Sequence, residues 1–160
     1  MRQDLTIGQK VVVRRAKARA MALCQLVVQS KDEELGPIVQ SLNLRPATSR
    51  LNGLRSEFER IGTALSNLNI NHVQYDDQEK CFAYVYPTDP TVMVLGNQYF
   101  TAERNGVDSV PGVLIHEASH WQIVRGTDDH AYGDDIYTLS STLMRNNADT
   151  IERIAEAFDK

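Results

Sequence analysis

Cysteine is scarce: Cys24 and Cys81 are the only two among 160 residues. Two thiols exclude the multi-bridge framework of a small secreted scaffold, and by themselves they do not complete a structural zinc site. One bridge between them stays open. Long apolar runs are absent as well. Nothing approaches the roughly 20 residues needed to cross a bilayer, and the longest stretch, residues 21–28, is interrupted by Gln25. Neither sign of charge dominates. Lys and Arg number 17 against 21 Asp and Glu, for a net charge of −4. That balance argues against a nucleic-acid partner or an anionic membrane surface. Internal repeats and low-complexity segments are missing too, which excludes solenoids and disordered tails. The basic cluster Arg14, Arg15, Lys17, Arg19 ahead of residues 20–28 imitates a signal peptide. Its apolar part is short, starts late and lacks a small-residue cleavage site, so it reads as the first helix of a fold.

What is present is ordinary globular material: 42% hydrophobic and 24% charged residues, enough chain for one domain over 1–160 with one sizeable core. Helical spacing of Val12, Ala16, Ala20, Leu23 and Val27 predicts a helix over 8–30. Gly36-Pro37 reads as a break. A second helix over 48–68 carries Leu51, Leu54, Phe58, Ile61, Leu65 and Leu68 on one stripe. Between 72 and 96 the character changes to aromatic and β-branched runs, 73–75, 82–86 and 91–95, read as a small antiparallel sheet. Residues 108–158 return to helix: one leading into His116 and stopped by Gly126, then stretches over 134–144 and 147–158. The fold class is α+β, mainly helical with a small antiparallel sheet. Tyr84, Tyr86, Tyr99 and Phe100 read as core or cleft wall.

The feature that carries chemistry is His116-Glu117-Ala118-Ser119-His120. Two histidines four apart share one helix face, so both imidazoles reach a single cation. Glu117, one residue on, leans over the open coordination position without being a ligand, which is what a zinc hydrolase asks of its general base. A catalytic zinc takes three protein ligands. Gly126 permits a sharp turn, after which Asp128, Asp129 and His130 all stand at usable spacing, and spacing alone leaves the three open.

HEASH followed by GTDDHAYG resembles the aspzincin family of zinc peptidases, which includes deuterolysin and the peptidyl-Lys metalloendopeptidases. Every fixed position of its H-E-x-x-H plus G-T-x-D-x-x-Y-G signature is present, and the likeness extends over roughly 80–158. The resemblance implies a zincin-type metallopeptidase domain binding one zinc ion through His116, His120 and Asp129. It implies Glu117 as general base and Tyr132 as the hydroxyl that supports the oxyanion. It further implies a zinc-dependent endopeptidase acting on protein or peptide substrates, with cleavage on the amino side of lysine. For that preference the family's N-A-D-x-x-E segment matches Asn147 to Glu152, making Asp149 and Glu152 the receivers of the substrate ammonium. Two acids in a first helical turn equally suit a capping role. Two rival readings use the same site: a non-catalytic zinc-binding interaction module, and an amidase for lysine- or diaminopimelate-containing cell-wall peptides. Family members that are secreted carry more cysteines, and Val94-Leu95-Gly96 lacks the one they have there, so Cys81 is free or pairs with Cys24. The implied setting is secretion, or delivery as an effector domain of a larger parent chain with an inhibitor or immunity protein as a further partner.

Overall fold

A computed structural model describes residues 1–159. The first long helix is defined by its cap as much as by its stripe. Thr6 accepts from Gln9 N while the Gln9 side chain accepts from Thr6 N, and α1 runs Ile7–Gln29. Its buried stripe begins at Val13, three residues before Ala16, whereas Val12 is 40% exposed. The helix α2, Asp32–Ser41, contains the Gly36-Pro37 pair read above as a break. Leu35 and Val39, both fully buried, anchor the helix on either side of the pair, and Pro37, the sixth of its ten residues, forgoes one interior hydrogen bond. Residues Thr48–Asn67 form α3, whose stripe from Leu51 to Leu65 is wholly buried and packs chiefly against α1.

The sheet is mixed, not purely antiparallel. Its strands are β1 (Arg2–Asp4), β2 (Val73–Asp76), β3 (Ala83–Tyr86) and β4 (Asp89–Leu95), in spatial order β1-β2-β4-β3. The β3–β4 hairpin is antiparallel as expected, but β4 also pairs in parallel with β2. The reason lies in burial. Met93, Val94 and Leu95 are fully buried, so β4 takes an interior position and leaves the less apolar β3 at the edge. Gly96 ends β4 where only glycine fits: a Cβ there would lie 2.2 Å from the Cys81 carbonyl oxygen. Both cysteines are free thiols.

Helix α4, Val110–His120, starts at Ser109, whose hydroxyl accepts from Gly112 N at 3.0 Å. It ends at His120 rather than at Gly126; Trp121, fully buried, caps it, and turns carry the chain to Gly126 at φ +72°. The expected helix over 134–144 is a 3-10 segment, Gly133–Thr138, followed by the short α5, Ser141–Arg145. The last helix, α6, spans Ala148–Glu156 and packs along α4. No helix among the described residues is long and apolar enough to cross a membrane.

The N-terminus of α4 also meets a buried acid. Glu156 Oε2 accepts from Ser109 N at 2.8 Å and from Ser109 Oγ at 2.7 Å, and a Cβ on residue 112 would fall 2.3 Å from that oxygen. Burial, aided by the nearby Glu152 charge, pushes the Glu156 carboxyl up to about 8 from its ordinary 4.5. A raised folded-state pKa favours the protonated form. Its contribution to stability is complete below about pH 4.5 and is lost as pH rises through about 8. Glu156→Gln should therefore flatten the fall of Tm across that window in thermal unfolding. An equally steep fall in the variant would assign the slope to other groups.

Candidate active site

Two segments build the site, and local chemistry explains how they meet. His116 and His120 stand one turn apart on α4, their rings edge to face at 5.2 Å. Beyond the helix, Gly126 uses the left-handed backbone region open to glycine and returns the chain toward the helix it has just left. Thr127 then fastens the return. Its N–H donates to Ser119 O at 3.0 Å. Its hydroxyl lies 2.6 Å from Ser119 Oγ, which itself donates to His116 O. The Thr127 carbonyl lies 2.7 Å from His120 Nδ1. A carbonyl only accepts, so Nδ1 carries a proton, and Nε2, which faces Asp129, is the nitrogen that becomes a free ligand atom when the ring is neutral.

Of the three residues that spacing leaves open, the return brings Asp129 to the histidines. Its Oδ1 lies 3.0 Å from His116 Nε2 and 3.2 Å from His120 Nε2. One ligand atom from each of the three residues falls within 4.8 Å of the others. A tetrahedral ion with bonds of about 2.0–2.1 Å requires ligand atoms about 3.3 Å apart, so this donor set fits zinc. Asp128 is 72% exposed at its side chain, and its carboxylate faces His130 at 4.0 Å instead.

Electrostatics follow from the crowding. Burial works against ionisation of Asp129, but hydrogen bonds with both imidazoles outweigh it and hold the carboxyl far below the usual range. Burial alone would lower His116; contacts with Asp129 and Glu152 override it and raise that imidazole well above its ordinary value. Glu117 is buried, and that burial pushes its carboxyl up to about 7 against the opposing pull of His116 and His120. Tyr132 stacks on His116, centroids 6.0 Å apart and planes within 6°, with 56% of its surface exposed. Burial of the phenol and the adjacent Asp129 carboxylate raise its pKa, so it remains an O–H donor.

These groups line a cleft of about 510 Å³ that runs from Tyr84 on the edge strand β3 to Asp149 and Glu152 on α6. The two α6 acids have partners in the fold. Glu152 Oε2 lies 2.9 Å from His116 Nδ1 and so orients that ring. Asp149 Oδ2 accepts from Gly133 N at 3.1 Å and has Arg153 Nε at 3.4 Å. Glu152 Oε1, by contrast, is buried without a hydrogen-bond partner.

One positioning residue escapes sequence reasoning although it sits inside a quoted motif. Asn147 is fully buried. Its Oδ1 accepts from His130 N at 2.8 Å and Ala131 N at 3.2 Å, and its Nδ2 donates to Ala131 O at 3.0 Å. Asp128 N donating to Asn146 O, and Ala148 N to Asp128 O, complete the clasp. The Asn147 amide therefore supplies three of the bonds that hold the loop bearing Asp129 and Tyr132. Asn147→Ala should cost about 3 kcal/mol in chemical denaturation, since it strands two donors and an acceptor. It should also weaken zinc binding although it removes no ligand. Unchanged zinc affinity would show that the loop holds its place by other means.

Comparison with known proteins agrees with this geometry. The family described as lysine-specific metallo-endopeptidase, the aspzincins, matches residues 46–156. An extracellular protease of Aeromonas hydrophila is 37% identical over 112 residues, covering 68% of this chain and 32% of that protein. A peptidyl-Lys metalloendopeptidase of Armillaria mellea is 37% identical over 79 residues, 47% of this chain and 22% of its own. One from Pleurotus ostreatus is 31% identical over 116 residues, 68% and 67% of the two chains. The chain thus spans a third or less of the first two relatives. In fold, it matches a zinc peptidase from Grifola frondosa with a TM-score of 0.79 at 20% identity, covering 98% of this chain and all of that one. With the family matched over residues 46–156, well beyond half of its length, the chain belongs to the aspzincin metallo-endopeptidases.

Proposed function

We propose that this chain is a zinc-dependent endopeptidase that holds one zinc ion through His116, His120 and Asp129 and cleaves protein or peptide bonds on the amino side of lysine. The observation that carries the reading is the convergence of those three ligand atoms in the cleft that Glu117 and Tyr132 also line. When bound there, zinc supplies Lewis acidity toward the scissile carbonyl and makes water easier to deprotonate. Glu117 accepts the proton of the attacking water, a task suited to a carboxylate whose pKa lies near neutrality, and passes it to the departing amine. Tyr132 donates its O–H to the substrate oxygen as charge builds on it. Glu152 and the Thr127 carbonyl hold the two imidazoles in register. The edge strand β3 offers free backbone groups for an extended substrate.

The lysine preference is supported by the acidic end of the cleft. Asp149 and Glu152 are both buried, and the unpartnered Glu152 Oε1 is an acceptor for an ammonium group. In keeping with the name of the Aeromonas relative, the corresponding setting is export, alone or within a larger protein. Mass spectrometry of fragments from a denatured protein mixture, with and without chelator, tests activity and preference together. The expected result is new N-termini beginning with lysine that vanish with the chelator; intact substrate under both conditions would overturn the reading. Asp149→Asn should lower kcat/KM for lysine substrates about tenfold or more, the scale of one charge-assisted hydrogen bond. It should leave zinc content unchanged. Equal losses on lysine and neutral substrates would remove Asp149 from the ammonium pocket.

A further inference from the structure

An open surface recess of about 390 Å³ is lined by Ser49, Arg50, Arg125, Ser141, Thr142 and Arg145. Three guanidinium groups share one recess in a chain whose net charge is −4. The local carboxylate is Glu57, fully buried and paired with Arg145. Arg50 and Arg125 form no ion pair among the described residues. A fourth arginine, Arg60, approaches from α3, its Nε donating to Val124 O at 2.7 Å. Arg125 loses proton affinity first through burial and then through the repulsion of Arg145, as expected of cations gathered without enough counter-charge.

We propose that this recess binds a tetrahedral oxyanion, a phosphate or sulfate group, through Arg50, Arg125 and Arg145 with the hydroxyls of Ser49, Ser141 and Thr142. Guanidinium forks match the oxygens of phosphate and sulfate geometrically. The two unpaired forks of Arg50 and Arg125, the guanidinium nitrogens of Arg145 not engaged by Glu57 and three hydroxyls offer more donors than the two oxygens of a carboxylate can accept, whereas four oxygens accommodate them. The placement gives the site a consequence. Arg125 stands in the turn that leads to Gly126 and the Asp129 loop. Arg145 stands two residues before Asn147, the amide that holds the same loop. An anion bridging the two ties together the segments on either side of the zinc-binding loop, and does so whether or not the catalytic reading holds.

Thermal unfolding of the zinc-loaded protein tests this, with inorganic phosphate titrated against chloride at constant ionic strength. The expected result is a saturable rise of a few degrees at phosphate roughly tenfold above half-saturation. The rise should be lost in R50M/R125M. Phosphate that coordinates zinc raises both proteins alike, so the difference between them reports the recess. Neither arginine has an ion pair to lose, but Arg125 also offsets the charge of the buried Glu57, so each protein's rise is read from its own chloride baseline; R50M alone, which leaves the neighbours of Glu57 in place, serves as a milder second variant. Glycerol phosphate provides a second arm. Stronger stabilisation by the monoester marks an anion carried on a larger molecule, and stronger stabilisation by the inorganic ion marks a free one. Equal shifts in parent and variants, or a shift that never saturates, would overturn the proposal.

Discussion

Glu117→Gln should lower kcat by about 100- to 10,000-fold while leaving zinc content unchanged. The magnitude is that of removing a positioned general base. The substitution keeps the shape of the side chain and exchanges an oxygen that accepts a proton for an amide that does not. Metal content should hold because Glu117 is absent from the triad of ligand atoms made by His116, His120 and Asp129. Stability supplies the control. Glu117 is buried, and its ionised form is disfavoured by that burial, so a neutral isostere should keep or raise Tm. Lost activity with intact zinc and intact Tm isolates the proton-transfer role. Activity retained within severalfold would mean that the water is deprotonated by another group, and Glu117 would then be a wall of the cleft only.

Legibility in the sequence followed the range of the interactions. HEASH and GTDDHAYG are local, so the ring spacing on α4 and the Gly126 turn could be read directly, and the aspzincin resemblance narrowed the third ligand to Asp129. The α3 stripe was equally plain because six apolar residues repeat at helical spacing. What stayed hidden depends on partners far apart in the chain. The contact between Glu152 and His116 spans 36 residues, and only the packing of α6 on α4 shows that an acid read as a substrate receiver also orients a metal-facing ring. The clasp of Asn147 on residues 130 and 131 needs the same packing. In the sheet, the antiparallel hairpin was visible in its turn, but the parallel pairing of β4 with β2 follows from which strand the core buries deepest. The three-residue β1 has no periodicity to read. Gly36-Pro37 misled because local propensity there yields to the burial of Leu35 and Val39.

Asp129→Ala should reduce zinc affinity by more than the about 10- to 100-fold that loss of an orienting partner costs a metal site, and activity should fall with it at limiting zinc. Charge matters here as well as the number of ligands. Asp129 is the anionic member of the triad, and its carboxylate is held ionised by both imidazoles. Alanine leaves two neutral nitrogens on adjacent helical turns and removes the one anionic ligand of the three. The loop itself should persist, because its backbone hangs on the Asn147 amide rather than on the Asp129 side chain. Spacing offered two rivals, and both provide controls. Asp128→Ala removes a carboxylate that is 72% exposed, and His130→Ala removes the ring that faces it at 4.0 Å; each should bind zinc as the parent does. Competition against a chromogenic chelator measures all three variants on one scale. Parental affinity in Asp129→Ala, or a comparable loss in Asp128→Ala or His130→Ala, would place the third ligand elsewhere and undo the tetrahedral arrangement on which the proposed chemistry depends.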